Sequence, residues 1–377
     1  MNTIKLKVIQ VNQPISTLYI AKIGYADLWS MSKVDRRHIT NDDEVLGIQR
    51  ELKTEKVKQI QKYLTTKYAT FPNSIIVNVS SKHIASINDE ELELRVSEDT
   101  FTIIDGQHRL AGFKDYDRSE FELILTIFVD LEIPLQAEIF STINSEQTKV
   151  DPSLNINLVL NDKLFTPRKM VVEIAQSFNY DTESPWYKQI KLLSARDDGM
   201  ISLASFSRPL FDLTYAEKDW YLIKNELQSC KEYFPLFDNF KYDEHRYIFW
   251  TFYKNRDSAS VYKILWNYFT ALKSIFENDW LNPESILNKT TGYNAMIRLF
   301  KDIVPIGLQE HKFSYDFFFE FLKPIKDLDG IVTAENYGSS GLYSTNQLYG
   351  DFCDRLKDRL PKNGGTGTCF TNNRSQQ

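Results

Sequence analysis

The hydrophobic pattern of the chain changes near residue 155, and this change constrains the fold more than any other feature of the sequence. Before it, short alternating or continuous apolar runs predict β-strands. These runs are 4–11, 18–23, 75–79 and 121–129. After it, apolar residues recur at helical spacing in aromatic-rich segments. These segments are 164–178, 217–231, 258–276 and 293–303. We therefore predict an α+β domain with a mixed sheet at 1–155, a mostly helical domain at 156–362 and a flexible tail at 363–377.

Three local predictions complete the N-terminal part. Residues 50–68 form a helix, because Val57, Ile60 and Leu64 recur at helical spacing. The solvated side of this helix carries Lys53, Lys56, Lys58 and Lys62. A second helix begins near Pro134 and runs to Asn144, since proline favours the first helical turn. The runs 92–96 and 101–104 are expected to form a hairpin across Ser97-Glu98-Asp99.

Charge and composition limit the class of protein. The net charge is −6, but residues 1–68 hold 12 Lys and Arg against 7 Asp and Glu, so DNA would need a local basic patch. The three cysteines are far apart and form neither a disulfide framework nor a CxxC pair. The first residues do not look like a signal peptide, and no apolar run reaches the length of a membrane helix. We expect a cytoplasmic protein with no membrane partner.

The pentapeptide Asp105-Gly106-Gln107-His108-Arg109 is the strongest candidate site. It follows the apolar run 101–104, so it lies where a predicted strand ends and a helix begins. We expect Asp105 to cap the helix and Gly106 to let the backbone turn. The first helical N–H groups would then form an anion site surrounded by Gln107, His108 and Arg109. The alternative is a capped helix start whose polar side chains are simply solvated.

Each side chain suggests a catalytic role. Asp105 suits binding Mg²⁺ or orienting a water, Gln107 suits positioning that water, and His108 suits moving a proton or contacting phosphate. Arg109 suits offsetting phosphate charge. Gln49-Arg50 opens the basic helix, and Arg50 would clamp a polyphosphate opposite Arg109. Alternatively, Arg50 pairs with a carboxylate in 42–44 on the surface.

Other motifs are weaker or missing. The sequence has no GxxxxGK[ST], GxGxxG or HExxH pattern. Asp302 with Glu310-His311-Lys312 resembles a loose nuclease pattern, but it lies in a helical context and such spacings are frequent by chance. Asn144 ends a predicted helix and Gln147 lies just after it, and Asn at a helix end usually has only a local capping role.

Several segments together resemble one family. Ile104–Arg109 resembles the motif that names the DGQHR-domain proteins, which include DndB proteins of DNA phosphorothioation clusters and the similar DpdB proteins. Further segments are also similar to that family. They are Gly47–Leu52, Phe71–Val77, Phe140–Gln147, Ser184–Tyr187 with Ile190-Lys191, and Ser202–Phe206. The resemblance covers most of the chain to about residue 210.

The resemblance implies a ParB/sulfiredoxin-like fold and a role in DNA modification, restriction and phage defence, or in control of such operons. The resemblance also implies a nucleotide site formed by the residues at the motif positions. These residues are Gln49, Arg50, Asp105, Gly106, Gln107, His108, Arg109, Asn144 and Gln147.

Three functions remain open at this point. The first is an NTPase that binds ATP or another NTP with Mg²⁺ and couples this to DNA. The second is a regulator that binds DNA through Arg36, Arg37, Arg50 and the lysine-rich helix. The third is an assembly subunit whose helical half docks a modification or restriction partner encoded nearby. Formation of a homo-oligomer is open for all three. The acidic balance disfavours the second as a sole function, and the polar motif favours the first over the third.

Overall fold

The chain forms two compact units, Met1–Lys149 and Val150–Gln377. The computed structural model describes residues 2–34, 38–39, 45–46, 52–114, 116, 121–146, 151–193, 199–229, 240–338 and 340–361. No described helix is both long and apolar enough to cross a membrane.

The first unit is built around a mixed β-sheet. Its strands are β1 (Thr3–Asn12), β2 (Thr17–Gly24), β3 (Ser32–Val34), β4 (His38–Ile39), β5 (Val45–Leu46), β6 (Ile75–Val79), β7 (Ile84–Ile87), β8 (Glu91–Arg95), β9 (Phe101–Asp105) and β10 (Glu122–Val129). Its helices are α1 (Tyr25–Ser30), α2 (Thr54–Leu64), α3 (Gln107–Ala111) and α4 (Ile133–Glu146). Eight described strands form one sheet in the order β3-β9-β6-β10-β2-β1-β8-β7. The pairs β3–β9 and β6–β10 are parallel and the others antiparallel.

Helices cover both faces of this sheet. On one face, Leu64 of α2 and Leu110 of α3 join the core that β6 and β10 build. On the other face, α4 packs through Ile139 against a smaller cluster that includes Ile104 and Phe128. β6 and β10 therefore lie between two apolar layers, which explains their nearly continuous apolar sequences.

The second unit is mostly helical. Its helices are α5 (Pro152–Asn157), α6 (Pro167–Tyr180), α7 (Leu203–Thr214), α8 (Trp220–Ser229), α9 (Trp250–Lys254), α10 (Ser258–Ile275), α11 (Thr290–Glu310), α12 (Tyr315–Leu322), α13 (Ala334–Tyr337) and α14 (Leu342–Leu356). Two short strands, β11 (Ile190–Lys191) and β12 (Ile201–Ser202), pair in parallel. The fully buried Trp186 ring lies 5.4–5.6 Å from the rings of Phe206, Phe269, Trp280 and Tyr293. The aromatic residues of this unit thus pack in its core.

The structure confirms the α+β region followed by a helical region. The predicted strand 75–79 is β6, and 121–129 is the interior strand β10. The predicted hairpin of 92–96 with 101–104 is wrong. β8 pairs with β1 and β7, whereas β9 pairs with β3 and β6. The predicted tail 363–377 lies outside the described residues.

Candidate functional site

The site is centred on the turn from β9 into α3. Val77 of β6 pairs with Ile103, and Ile76 pairs with Asp105, so Ile104 is an extra residue that bulges from β9. Bulges of this kind change the direction in which the following side chain points. Gly106 then turns the chain with φ +101°, a left-handed conformation that glycine adopts without strain. A Cβ at this position would lie 3.0 Å from Ile75, so the turn also needs glycine for space.

Asp105 is not the helix cap, which corrects the sequence prediction. The cap residue of α3 is Gly106, and no side chain caps this helix start. Asp105 is held in the ladder of β9 instead, and its Oδ2 accepts a hydrogen bond from Nη2 of Arg109 at 2.8 Å. With only five residues, α3 is also too short to present the anion site that we expected.

Arg109 joins two strand ends. Besides the bond to Asp105, its Nη1 donates to the backbone oxygen of Asn73, just before β6, at 2.7 Å. The side chains of Arg109 and Asp105 are only 19% and 27% exposed, so this ion pair is partly shielded from water. The guanidinium that was predicted to contact phosphate therefore ties the end of β9 to the start of β6.

His108 points in another direction, toward the start of α2. Its Nε2 accepts a hydrogen bond from the backbone N–H of Lys53 at 3.0 Å. Burial lowers the pKa of His108, and the nearby charges of Lys56 and Lys53 lower it further, while Asp105 opposes them. An imidazole that accepts at Nε2 is neutral and carries its proton on Nδ1. His108 thus fixes Lys53, the cap residue of the lysine-rich helix α2.

Gln107 points in a third direction, into a cavity of about 810 Å³. Its side chain is buried, at 6% exposure. The apolar lining residues are Trp29, Leu52, Ile103, Leu110 and Ala111. The other polar lining residues are Ser30, Ser32, Ser97, Glu98 and Asp99. Hydrogen bonds from Ser97 and Lys82 lower the pKa of Asp99 to about 2, and the ammonium of Lys82, 3.2 Å from Oδ2, offsets the charge of this carboxylate. We name this space the Gln107 cavity.

The lysines of α2 and its cap residue Lys53 lie on the solvent side, as predicted. All four, Lys53, Lys56, Lys58 and Lys62, are exposed, and within the described part of the chain none forms a salt bridge. α2 packs tightly on the end of α3. A Cβ added to Gly112 would lie 2.2 Å from Cγ2 of Ile60, so only glycine permits this approach.

The structure does not describe the side chains of several predicted site residues. Arg36, Arg37, Gln49, Arg50 and Gln147 lie outside the described residues. The backbone of Asn144 belongs to α4, but its side chain is outside the description as well. Among the described residues, no group of three His, Cys, Asp or Glu side chains is arranged to hold a metal ion.

Sequence reasoning missed most of the cavity. Trp29 gave no signal, because a lone aromatic residue in a short helix has no distinctive pattern. Ser97, Glu98 and Asp99 were interpreted as a hairpin turn, although their polar composition fits a cavity wall equally well. Gly112 comes three residues after the pentapeptide, and a glycine so close to the expected helix start was a usable sign of close packing.

Comparison with known proteins places the chain in a family. The model of the family described as DndB, DNA-sulfur modification-associated, matches residues 6–202, which is about half of the chain. The chain belongs to the DndB family. This membership confirms the resemblance inferred from the sequence and associates the chain with DNA-sulfur modification. No curated protein matches it.

One solved structure is similar to part of the chain. It is the crystal structure of the C-terminally truncated chromosome-partitioning protein ParB from Caulobacter crescentus, complexed with CTP-gamma-S. The sequence identity is 9%, and the match covers 42% of this chain and 83% of that chain with a TM-score of 0.26.

Proposed function

We propose that this DndB-family protein binds a nucleotide in the Gln107 cavity as part of its role in DNA modification. The observation that carries the proposal is the cavity itself, which adjoins the pentapeptide and has a volume of about 810 Å³. Small-molecule sites usually measure roughly 300–1,000 Å³ and combine apolar walls with a few polar groups. The Gln107 cavity has both properties.

The charges around the cavity orient the proposed ligand. The acidic side chains of Glu98 and Asp99 accept hydrogen bonds, so they suit sugar hydroxyls or base amino groups better than phosphate. Leu52 also lines the cavity, and it directly precedes Lys53 at the start of α2. Phosphates would therefore lie on the side of Lys53 and Lys56, where positive charge is concentrated.

The pentapeptide favours binding over hydrolysis. Gln107, His108 and Arg109 are consecutive helical residues, and such residues point about 100° apart. Arg109 is bonded to Asp105 and Asn73, and His108 to Lys53. Among the described residues, these groups do not surround one point where a phosphate would react. Turnover of ATP or another NTP with Mg²⁺ is therefore not part of the proposal.

Titration calorimetry with ATP, CTP and GTP in the presence of Mg²⁺ tests the proposal. We expect saturable binding of at least one nucleotide by the wild type. Gln107→Met keeps the side-chain length but removes the amide, and should weaken binding by about tenfold, the value of roughly one buried hydrogen bond. Gln10→Met, on an exposed part of β1, is the matched control and should bind like the wild type. Absence of saturable binding for all three nucleotides would refute the proposal.

A second candidate function is DNA binding through α2. It is favoured by the four exposed lysines that form no salt bridge in the described part of the chain, because such cations release counterions when they meet phosphates. Replacing Lys56, Lys58 and Lys62 with Gln should reduce the slope of log K against log salt by about 0.9 for each phosphate that the helix no longer neutralises. Lys22→Gln is the control, because Lys22 pairs with Glu122 on the sheet. An unchanged slope in the triple variant would exclude α2 as the DNA-binding element.

A further inference from the structure

The helical unit contains an aromatic cavity of about 260 Å³ that the proposed function does not use. It is formed by α9 and by the segment that leads into it. Four of its lining residues are aromatic, namely Phe240, Tyr242, Tyr247 and Trp250. We name it the aromatic cavity.

The rings of this cavity are held in place. Tyr242 lies between two other rings, 4.6 Å from Tyr247 and 4.7 Å from Trp250, measured between centroids. Its hydroxyl donates a hydrogen bond to Oδ2 of Asp219 at 2.7 Å, which fixes the orientation of the ring. Trp250 is 3% exposed and belongs to the core, whereas Phe240, Tyr242 and Tyr247 are only half-buried. The cavity is therefore a preformed aromatic surface with part of its rings accessible.

Positive charge flanks the rings. Lys241 and Lys254 line the cavity, and within the described residues neither forms a salt bridge. The guanidinium carbon of Arg246 lies 5.3 Å from the centroid of the Tyr247 ring. Aromatic rings with neighbouring cations are the combination that binds single-stranded nucleic acid, because bases stack on the rings and phosphates meet the cations.

The carboxylate of one lining residue favours bases that carry an amino group. Glu244 lies among the lining residues, and its Oε1 accepts a weak hydrogen bond from Thr251 at 3.4 Å. An ionised carboxylate is only an acceptor, so it suits the exocyclic amino group of cytosine and has no donor for the O4 of thymine. The volume is below the roughly 300–1,000 Å³ of ordinary ligand sites, which suits one ring system and not a whole nucleoside triphosphate.

We propose that the aromatic cavity binds one unstacked, amino-bearing base of single-stranded DNA, with the adjacent phosphate held by Lys241 and Lys254. The membership of the chain in a DNA-modification family makes DNA the macromolecule to test. This site lies wholly in the helical unit, so the proposal does not depend on nucleotide binding in the Gln107 cavity.

Fluorescence anisotropy of the full chain with labelled 15-mers of deoxycytidine and thymidine tests the proposal. The wild type should bind the deoxycytidine strand more tightly. Tyr247→Leu should weaken that binding by about tenfold, the usual value of one stacked base. Glu244→Gln should reduce the preference for cytosine, and Lys254→Gln should weaken both strands several-fold. Lys263→Gln, an exposed lysine on α10, should change nothing.

Photocross-linking locates the bound strand and excludes other sources of binding. A strand containing 5-iododeoxycytidine should cross-link to Tyr242 or Tyr247. Cross-links confined to other regions, or equal affinities of the wild type, Lys254→Gln and Glu244→Gln, would overturn the proposal. Free dCMP that binds as tightly as the strand would also overturn it, because the site would then serve a mononucleotide. If thermal melting shows that Tyr247→Leu is unfolded, the affinities of Lys254→Gln and Glu244→Gln test the proposal in its place.

Discussion

Replacement of Arg109 distinguishes a structural role of the pentapeptide from a catalytic one. Arg109→Gln removes the hydrogen bond to Asp105 at 2.8 Å and the hydrogen bond to the Asn73 carbonyl at 2.7 Å. Both bonds use the charged guanidinium, and a hydrogen bond to a charged group contributes about 1.5–3 kcal/mol. Since both side chains keep some exposure, we take the lower end for each bond and expect a loss of about 3 kcal/mol.

A double-mutant cycle separates the ion pair from the rest of this loss. In Asp105→Asn, Arg109 still reaches Asn73, so the cost should be smaller than in Arg109→Gln. The double variant should then cost less than the sum of the two single variants, with a coupling of about 1–2 kcal/mol. Hydrogen exchange of peptides from β6 and β9 in the full chain measures this, because the two units need not unfold as one two-state system.

Two results would contradict the argument. Additive effects of the two substitutions would mean that Asp105 and Arg109 do not stabilise each other. If instead Arg109→Gln abolished nucleotide binding while exchange in β6 and β9 stayed at the wild-type rate, Arg109 would act on the ligand. The anion-site hypothesis from the sequence would then be favoured over the structural role.

Three further predictions concern other parts of the two units. Gly112→Ala should reduce the free energy of opening of α2 by about 1–3 kcal/mol, because the new Cβ would overlap Ile60. Faster hydrogen exchange in α2 would show this loss. The double variant Gly112→Ala, Ile60→Ala should recover part of it. The lowered pKa of His108 means that its stabilising contribution is full above the ordinary pKa of about 6.5 and is lost as pH falls through the folded-state value. In His108→Gln, the stability of α2 measured by hydrogen exchange should therefore depend less on pH between 7.5 and 5 than in the wild type. Identical pH profiles of the two proteins would exclude His108 as the cause of the pH dependence. Burial raises the pKa of Asp302 to about 6, so its contribution to stability is present at low pH and is lost as pH rises through that value; Asp302→Asn should remove this part of the pH dependence of thermal unfolding.

The sequence predicted the strands with strong local patterns and failed where pairing is non-local. β6 and β10 have apolar runs that identify them without knowledge of their neighbours. Ser97-Glu98-Asp99 has the composition of a tight turn, but the strands on either side pair with distant partners, β8 with β1 and β9 with β6. Local composition does not determine which strand pairs with which. Nothing in the sequence therefore contradicted the hairpin prediction.

The position of the pentapeptide at the end of a strand was predictable, but the directions of its side chains were not. The polar pentapeptide does follow a buried strand. Asp105 and Arg109 are four residues apart, but that spacing pairs opposite charges within a helix, whereas Asp105 belongs to β9, so the ion pair depends on the turn at Gly106. The bulge at Ile104 depends on the register of β9 against β6, and the Gln107 cavity depends on α1 and on the turn at 97–99. These features arise between distant segments and left no local pattern.

The geometry of a helical turn explains why this motif is more a junction than a single catalytic cluster. Because consecutive helical residues point about 100° apart, Gln107, His108 and Arg109 cannot all face one ligand at the start of so short a helix. Each makes a separate connection: Arg109 to the strand ends, His108 to the start of α2, and Gln107 to the cavity. Their substitutions should accordingly produce different defects, in the exchange of β6 and β9, in the pH dependence of α2 and in ligand affinity. A common defect from all three would require a ligand large enough to reach around the whole turn.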